Sequence, residues 1–554
     1  MKRVLLLLAA LAAFAPTLQA SADGPPPVSK ADIPVFHEEA DAAGLHSVYA
    51  GGWDYFVGGG VASFDCDGSG YPSVFVAGGT NGGKLFVNVS KHGGPLKFVE
   101  KKDYLGPGAK PLTEVVGAYP LDIDGDGRMD LVVLRNHGVT LLKGGPGCTF
   151  TRANALWNFA GDPGWVTAFS ATFERGQKFP TLAFGHYVDR QAPGSPYGTC
   201  EDNSLYRPGS GDAPDYSKRT ALRPGWCALS MLFTDWNRSG VPALRVSNDR
   251  QYYRGGEEQL WHVDPGKPPR LYTRAEGWRH VSIFGMGIAE GEFDASGYPE
   301  YALTSMGDMK LQKLDSSEGR LGSAPVYRDV AADRGATAHI PYAGGDMKPS
   351  TGWHSEFADF NDDGLLDLFV TKGNVDAMRD FAAFDPNDLL LGQWDGKFVE
   401  AGEQAGLALD RKGRGAAVDD FNLDGKLDIL VVNREANVTL FRNLGAANPG
   451  GKPLEMGNWL EMRVVQPNPN RDAVGATVAV KVGTRTMVRK IQVGGGHASG
   501  HLGWVHVGLG TSERAEIRVH WPDGEWSAPY RVFANNFVIV DRTKTQADYW
   551  YPGR

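Results

Sequence analysis

The chain has 554 residues, of which 42% are hydrophobic and 22% are charged. This length is sufficient for more than one domain, and the composition excludes disorder over most of the chain. The net charge of −9, together with the lack of a long basic run, argues against a nucleic-acid-binding surface.

The first 22 residues have the pattern of an export signal. Lys2 and Arg3 precede the apolar run 4–14, and Ala20-Ser-Ala22 provides a small-residue cleavage site. The run is too short to span a bilayer, and no second run of about 20 apolar residues follows. We therefore predict an exported protein, periplasmic or extracellular, without a membrane span.

Four cysteines, at positions 66, 148, 200 and 227, would lie in a compartment that permits disulfides. A bridge between Cys200 and Cys227 is favoured because the segment between them is irregular and rich in proline and glycine. The other two cysteines either pair or stay buried and reduced.

Residues 122–130 have carboxylates at alternate positions and a glycine at the sixth position. Unit charges about 5 Å apart repel by roughly 3 kcal/mol at an effective dielectric constant near 20, so such a loop needs a cation. The spacing resembles the start of a calcium-binding loop, and hard oxygen ligands favour Ca²⁺ over a transition metal. The alternative is a solvated acidic turn. The candidate ligands are the side chains of Asp122, Asp124, Asp126 and Asp130 and the carbonyl of Arg128.

This acidic loop is repeated along the chain, and an apolar run typical of a buried strand follows each copy. The copies begin at Asp65, Asp122, Asp235, Glu292, Asp359 and Asp420, with a degenerate copy near Thr172. A second phrase, an aromatic residue followed eight positions later by glycine, recurs at Phe36, Phe98, Tyr327 and Phe398. We interpret it as the entry from a strand into a turn.

Seven long repeats with several short strands each predict an all-β fold, a seven-bladed β-propeller over residues 23–450. Residues 188–228 and 376–388 are predicted to be long loop insertions on one face, where binding function tends to lie. Residues 446–453 have the composition of a linker. Beyond it, residues 455–545 alternate apolar with polar side chains, which predicts a small antiparallel β-sandwich.

Two segment types resemble known modules. The acidic loops with their apolar runs resemble FG-GAP (VCBS-type) repeats, the units of integrin-α-like propellers. Residues 470–476, 494–496, 506–510 and 521–524 resemble the ASPIC/UnbV domain. The order of the two modules is similar to that of the exported cartilage-acidic-protein-like family. The resemblance implies a calcium-binding extracellular propeller and supplies no catalytic residues.

The expected calcium affinity of the remaining loops follows the number of carboxylates in each. About three to five calcium sites are expected in all. Three carboxylates are present in the sets Asp359, Asn361, Asp363, Asp367 with the carbonyl of Leu365; Asp420, Asn422, Asp424, Asp428 with the carbonyl of Lys426; and Glu292, Asp294, Ser296, Glu300. The loop with Asp65, Asp67, Ser69 and Ser73 has two carboxylates and is expected to be a weak site. The loop at Asp235 and the unit with Glu174 are expected to be empty structural turns.

Few other residues suggest chemistry. His497, His501 and His506 are close enough in sequence for a zinc site, although their Gly-rich segment has a layout that needs no metal. Residues 186–190, which include His186, Tyr187, Asp189 and Arg190, either line a ligand site or form a solvated loop. No metalloprotease helix motif, P-loop or nucleophile elbow is present in the sequence, so no catalytic residue is assigned.

Two functions compete on this evidence. The first is a calcium-binding scaffold whose loop ions stabilise the fold and whose loop face holds an unidentified protein or glycan partner. The alternative is an exported hydrolase or lyase acting on carbohydrates or esters through propeller loops and metal. The lack of a recognisable nucleophile or acid/base motif favours the scaffold.

Overall fold

The computed structural model describes residues 33–193, 199–249, 256–294, 296–317 and 319–553. The predicted export signal lies outside these residues. Among the helices of the described residues, none is long and apolar enough to cross a membrane. The helices are single turns: α1 Ala40–Ala43, α2 Ala331–Arg334, and two 3₁₀ turns, Trp53–Tyr55 and Arg274–Glu276.

Within the described part of residues 33–446, seven β-sheets follow one another, each with four antiparallel strands from this region. The first four sheets are β2 Val61–Phe64, β3 Ser73–Val76, β4 Lys84–Asn88, β5 Phe98–Glu100; β6 Val115–Leu121, β7 Asp130–Arg135, β8 Gly138–Gly145, β9 Thr149–Arg152; β10 Val166–Thr172, β11 Thr181–His186, β12 Asn203–Tyr206, β13 Arg219–Leu222; and β14 Ala228–Thr234, β15 Ala243–Asn248, β16 Gln259–His262, β17 Arg270–Leu271. The last three are β18 Gly285–Gly291, β19 Glu300–Ser305, β20 Lys310–Leu314, β21 Tyr327–Asp329; β22 Gly352–Ala358, β23 Asp367–Lys372, β24 Asp388–Gly392, β25 Phe398–Glu400; and β26 Lys412–Asp419, β27 Asp428–Arg434, β28 Thr439–Ala446 with β1 Pro34–Glu38.

The sheets form a closed ring. The first strand of each sheet contacts the first strand of the next, and β26 of the last sheet contacts β2 of the first. The N-terminal strand β1 completes the last sheet by pairing with β28, with Phe36 opposite Asn443. The predicted all-β propeller fold is therefore confirmed. The ring is closed in its last sheet, where the first strand of the propeller, β1, pairs with its last strand, β28.

The repeated aromatic–glycine phrase forms the outer strand of a sheet and the turn after it. Gly44, which follows α1, has a φ of 85°, a conformation that favours glycine. A Cβ atom there would lie 2.8 Å from the carbonyl oxygen of Phe98, and one at Gly406 would lie 2.8 Å from that of Phe36. Each glycine thus lets its turn pack against the outer strand of a neighbouring unit.

One predicted insertion is wrong. Residues 188–228 contain β12 and β13, the outer two strands of the third sheet, rather than a single long loop. Their sequences are short and mix polar with apolar residues, so they lack the apolar runs of the other repeats. Residues 376–387 do lie in a loop between β23 and β24, and Asp388 begins β24.

Both disulfides are formed. Cys200 pairs with Cys227 as predicted. Cys66 pairs with Cys148, which joins the acidic loop of the first sheet to the β8–β9 turn of the second. Two disulfides and no free cysteine among the described residues are typical of an exported protein.

The C-terminal region forms a separate pair of four-stranded sheets, as predicted, but the expected antiparallel pairing is wrong for one pair, since Asn458–Val465 and Asn536–Asp541 pair in parallel. Its strands are β29 Asn458–Val465, β33 Val505–Gly510, β36 Asn536–Asp541 and β37 Asp548–Trp550 in one sheet, and β30 Thr477–Val482, β31 Arg485–Lys490, β34 Arg514–His520 and β35 Tyr530–Phe533 in the other. Val478, Val480 and Ile517 are fully buried between them.

A segment of this domain, residues 493–502, enters the centre of the propeller ring; we call it the channel segment. Its strand β32, Gly500–Leu502, pairs in parallel with the inner strand β2. The amide of Ala171 donates to the carbonyl of Val493 at 3.1 Å, and the amide of Gly496 donates to that of Ile288 at 2.7 Å. The segment therefore bonds to inner strands around the ring, which the sequence did not predict.

Candidate calcium loops

All seven acidic segments lie on one face of the propeller. Each connects the first strand of a sheet to the second, as residues 122–129 connect β6 to β7. Because the sheets are arranged in a ring with the same strand order, loops at this position share one face. The C-terminal domain lies on this face, since its side chains contact several of the loops.

A recurring set of backbone contacts shapes the loops. In the loop at 122, the carboxylate of Asp122 accepts the amides of Gly125 and Gly127, both at 2.9 Å. Gly127 has a φ of 83°, which lets the chain turn back toward the first carboxylate. The same contact from the first to the sixth position occurs in the pairs Asp65–Gly70, Asp235–Gly240, Asp359–Gly364 and Asp420–Gly425.

The ninth residue ties the loop to its sheet. Asp367 accepts the amide of Phe360 at 2.9 Å with one oxygen and that of Gly392, on β24, at 2.8 Å with the other. Asp130 and Asp428 make the equivalent pair of contacts. This carboxylate is fixed before any ion binds, and its remaining lone pairs can still face a cation.

The loop at 122 gathers its carboxylates. Oxygens of Asp122, Asp124 and Asp130 lie within 4.8 Å of one another. The ammonium group of Lys143 contacts Asp124 and is 2.6 Å from Asp126. Burial, followed by the charge of Asp472 in the C-terminal domain, raises the pKa of Asp122 to about 6. A divalent cation would offset both the burial of the Asp122 carboxylate and its repulsion by Asp472. The residues of this loop therefore fit the predicted ion.

The loops at 359 and 420 also fit a cation, for a different reason. Oδ1 of Asp359 and Oδ1 of Asn422 are buried and have no hydrogen-bond partner. Burial, and then the neighbouring Asp363, raises the pKa of Asp359 to about 8. Burial likewise raises the pKa of Asp428 well above its usual value. Buried oxygens without a donor are expected to have an ion or water as their partner.

In the other loops, protein side chains already contact the acids. Lys313 contacts Asp294, and Arg238 contacts Glu292. Arg463 of the C-terminal domain is 3.0 Å from Asp65, and Arg207 is 2.6 Å from Glu174. The predicted ions at 65 and 292 would have to displace these cations, and an ion at 122 would likewise have to displace Lys143. The loops at 122, 359 and 420 are favoured by other observations, namely the gathered carboxylates at 122 and the buried oxygens without a donor at 359 and 420.

The three C-terminal histidines have separate partners. His497 lies buried in the channel segment, where Nε2 accepts the amide of Gly58 at 3.1 Å. His506 lies between Asp362 and Glu461, at 2.8 and 2.9 Å. Nδ1 of His501 is 3.5 Å from Glu356. The three do not form a shared ligand set, so the geometry gives no support to a zinc site.

Residues 186–190 are mostly buried. His186 is completely buried, with Nε2 2.9 Å from Asp162 and Nδ1 3.3 Å from Glu201. The hydroxyl of Tyr187 donates to Asp249 at 2.5 Å. Arg190 is half-buried, 3.4 Å from Asp54. The sequence left two alternatives for this segment, a solvated loop and a ligand site. Neither applies to His186, which belongs to a buried ionic network.

This network predicts a pH dependence of stability. Burial, the largest influence, lowers the pKa of His186, but Asp162 and Glu201 outweigh it and raise that pKa to about 9. Because the folded value exceeds the unfolded one, the stabilisation is complete below about pH 6.5 and is lost as the pH rises through 9. We expect the free energy of unfolding to fall by about 3 kcal/mol over this range, measured by urea titration.

The variant His186→Gln provides the comparison, because it removes the titrating group. Its free energy of unfolding should vary less between pH 6.5 and 9 than that of the wild type. Parallel pH profiles for the two proteins would contradict the assignment.

A polar cavity of about 170 Å³ lies between the inner strands and the C-terminal domain, lined in part by Glu356, Asp419 and His501. Burial raises the pKa of Asp419 to about 7, and this carboxylate accepts the hydroxyl of Ser63 at 2.7 Å. The hydroxyl of Ser355 also lines the cavity, is buried and has no partner. Sequence reasoning missed this site because its residues come from distant strands and share no motif.

Comparison with known proteins agrees with this architecture. The FG-GAP-like repeat family matches residues 65–133 and 359–431, and the ASPIC and UnbV family matches residues 466–547. Cartilage acidic protein 1 of Mus musculus is 28% identical over 251 residues, which cover 44% of this chain and 34% of that protein. The chain thus spans about a third of the length of this relative.

Solved structures also share similarity with the chain. Sqt1 of Saccharomyces cerevisiae is 12% identical, with a TM-score of 0.36, over 73% of this chain and 100% of that one. PorZ of Porphyromonas gingivalis is 13% identical, with a TM-score of 0.37, over 86% of this chain and 59% of that one. From the family matches and the fold together, this chain carries FG-GAP-like repeats in its propeller and an ASPIC and UnbV domain after it.

Proposed function

We propose that the protein is an exported calcium-binding β-propeller that acts as an interaction scaffold. The observation that carries this proposal is the convergence of Asp122, Asp124 and Asp130 within 4.8 Å. The ion would be held by the side chains at positions 1, 3, 5 and 9 and the carbonyl at position 7 of a loop. Because each loop joins two strands of one sheet, the free energy of binding stabilises the fold.

The proposed partner, a protein or a glycan, would bind the face opposite the C-terminal domain. The acidic loops contact that domain, whereas the described parts of the long connections between second and third strands lie on the other face. These parts are residues 187–193, 199–202, 249, 256–258 and 373–387. Near this face the partly exposed Trp53 packs against the buried Trp165 at 5.2 Å, and the partly exposed Arg190 lies 5.1 Å from the ring of Trp165. Tryptophan and arginine side chains such as Trp53 and Arg190 are common at the centre of interfaces.

Calcium titration calorimetry of matched loop variants tests the proposal. Asp359→Asn removes the charge of the first ligand in a loop that fits an ion, so the number of bound calcium ions should fall by one. Asp235→Asn makes the same change in a loop that offers one carboxylate, because Asn237, Ser239 and Ala243 occupy the other ligand positions, and should leave the number unchanged. Wild-type protein that binds no calcium would refute the proposal.

The alternative, an exported hydrolase or lyase, would use the polar cavity. Asp419, with its pKa raised to about 7, is suited to proton transfer near neutral pH. If the cavity is catalytic, turnover of a glycan or ester substrate should fall at least about 100-fold in Asp419→Asn. Turnover that is absent in the wild type, or equal in the variant, would exclude this use of the cavity.

A further inference from the structure

We propose that calcium binding by the acidic loops and docking of the C-terminal domain are coupled, so that each strengthens the other. The inference rests on the calcium binding proposed above. It concerns how that binding is regulated and what the second domain contributes to it. The two domains meet through the loops themselves, and the contacts recur at the same loop positions.

The loop at 122 shows the pattern most completely. The side-chain amide of Asn468 donates to the carbonyl oxygen of Gly125, at position 4, over 2.7 Å. The guanidinium group of Arg471 donates to the carbonyl oxygen of Gly127, at position 6, over 2.8 Å. Both donors belong to the C-terminal domain, and both acceptors lie in the turn that the candidate ligands surround.

The same two positions are used in the loop at 359. The amide of Gly510 donates to the carbonyl oxygen of Asp362, at position 4, over 2.9 Å. The guanidinium group of Arg485 donates to that of Gly364, at position 6. In the loop at 65, the indole of Trp504 donates to the carbonyl oxygen of the sixth residue over 2.9 Å. Different residues of one domain thus donate to the carbonyl at position 6 in three loops and to the carbonyl at position 4 in two of them.

This division of groups gives the coupling a physical basis. An ion would take the side chains at positions 1, 3, 5 and 9 and the carbonyl at position 7. The domain takes the carbonyls at positions 4 and 6. In the loops at 122 and 359 the two sets of contacts do not compete, and both require the same turn conformation. Whichever binds first therefore orders the loop for the other, and the coupling is reciprocal by thermodynamic linkage. The loop at 65 is different, because Arg463 of the domain also contacts Asp65 and would compete with an ion.

Electrostatics acts in the same direction. Docking of the domain places the charge of Asp472 beside the loop at 122, where oxygens of Asp122, Asp124 and Asp130 already lie within 4.8 Å of one another. Burying carboxylates next to one another without a cation is unfavourable. An ion in the loop removes this penalty, so the domain should dock more tightly on a calcium-loaded loop than on an empty one.

The channel segment determines how the coupling would be observed. Residues 493–502 bond to inner strands of the ring, so the domain remains attached when single loop contacts weaken. Loss of calcium should therefore loosen the domain locally rather than release it. Amide hydrogen exchange detects such local opening.

The first test is calcium calorimetry on the full chain with domain variants. Asn468→Ala combined with Arg471→Ala removes both contacts to the loop at 122 and should weaken one calcium site about 5-fold or more, the lower end of typical coupling. Arg531→Ala is the matched control, because this arginine of the same domain is 84% exposed and contacts only Glu516, at 3.6 Å, among the ion pairs of the described residues. The control should leave every site unchanged.

The reciprocal test measures hydrogen exchange in residues 458–550 with calcium and with excess EGTA. Calcium should slow exchange in these strands about 5-fold or more in the wild type, and less in the double variant. If the wild type binds calcium but the double variant binds it equally well and exchange is unchanged, the coupling is refuted and the scaffold proposal stands. If the wild type binds no calcium, the scaffold proposal itself fails.

Discussion

Excess EDTA is expected to lower the melting temperature of the metal-loaded protein by about 10 °C. Each site that is saturated at 100 times its dissociation constant contributes about 2.7 kcal/mol to the free energy of unfolding, and this contribution is lost with the ion. The loops at 122, 359 and 420 would then contain buried carboxylates without a cation, as the raised pKa values of Asp122 and Asp359 indicate. Differential scanning calorimetry measures the shift.

Restoration with different ions serves as the control for this experiment. Excess Ca²⁺ should return the melting temperature to its starting value, because the loops offer flexible oxygen ligands at the spacing calcium accepts. Mg²⁺ requires a stricter octahedral geometry and should restore it only in part. A melting curve that EDTA leaves unchanged would refute calcium as a stabilising ligand of these loops.

The substitution Gly60→Ala is expected to destabilise the protein by about 3 kcal/mol, since overpacking of a closed core costs about this much. A Cβ atom at this position would lie 1.8 Å from the carbonyl oxygen of Ala498 in the channel segment. Both groups belong to backbone that is fixed on either side, Gly60 before β2 and Ala498 before β32. One of them must move, so the channel segment should lose contact with the ring. Urea unfolding measures the loss of stability.

Gly503→Ala is the matched control for this prediction. Gly503 directly follows β32, and a Cβ atom there would have no neighbour within 4 Å. The control variant should keep the stability of the wild type within about 1 kcal/mol. Equal stability of Gly60→Ala and the control would show that the channel segment is not held in the ring as described.

The sequence predicted the parts of the molecule that depend on local chemistry. Alternating carboxylates with a glycine at position 6 specify a loop, because a left-handed residue is needed there, as at Gly127. Apolar runs such as Leu131–Leu134 specify strands covered on both faces. The Cys200–Cys227 bridge also followed from the character of the segment between the cysteines. Each of these features involves residues that are close in the chain.

The outer two strands of the third sheet were predicted as a loop because they lack such local signals. β12 and β13 carry no acidic loop and no continuous apolar run, and they are strands because neighbouring sheets and β11 provide the contacts. The polar cavity near Asp419 and the ionic network around His186 also depend on residues that only the fold brings together. Tertiary context decides such positions, since local propensity is weak compared with burial and pairing.

By itself, the sequence determined the repeat, the donor side chains that each loop offers and the presence of a second β domain. Only the tertiary structure decided that this domain covers the acidic loops and inserts residues 493–502 into the ring. The physical reason is that loop chemistry is encoded by neighbouring residues, whereas docking depends on backbone carbonyls. The carbonyl groups of Gly125 and Gly127 accept hydrogen bonds from residues more than 300 positions away in the sequence. Every residue has a backbone carbonyl group, so the sequence does not indicate which of them will be used.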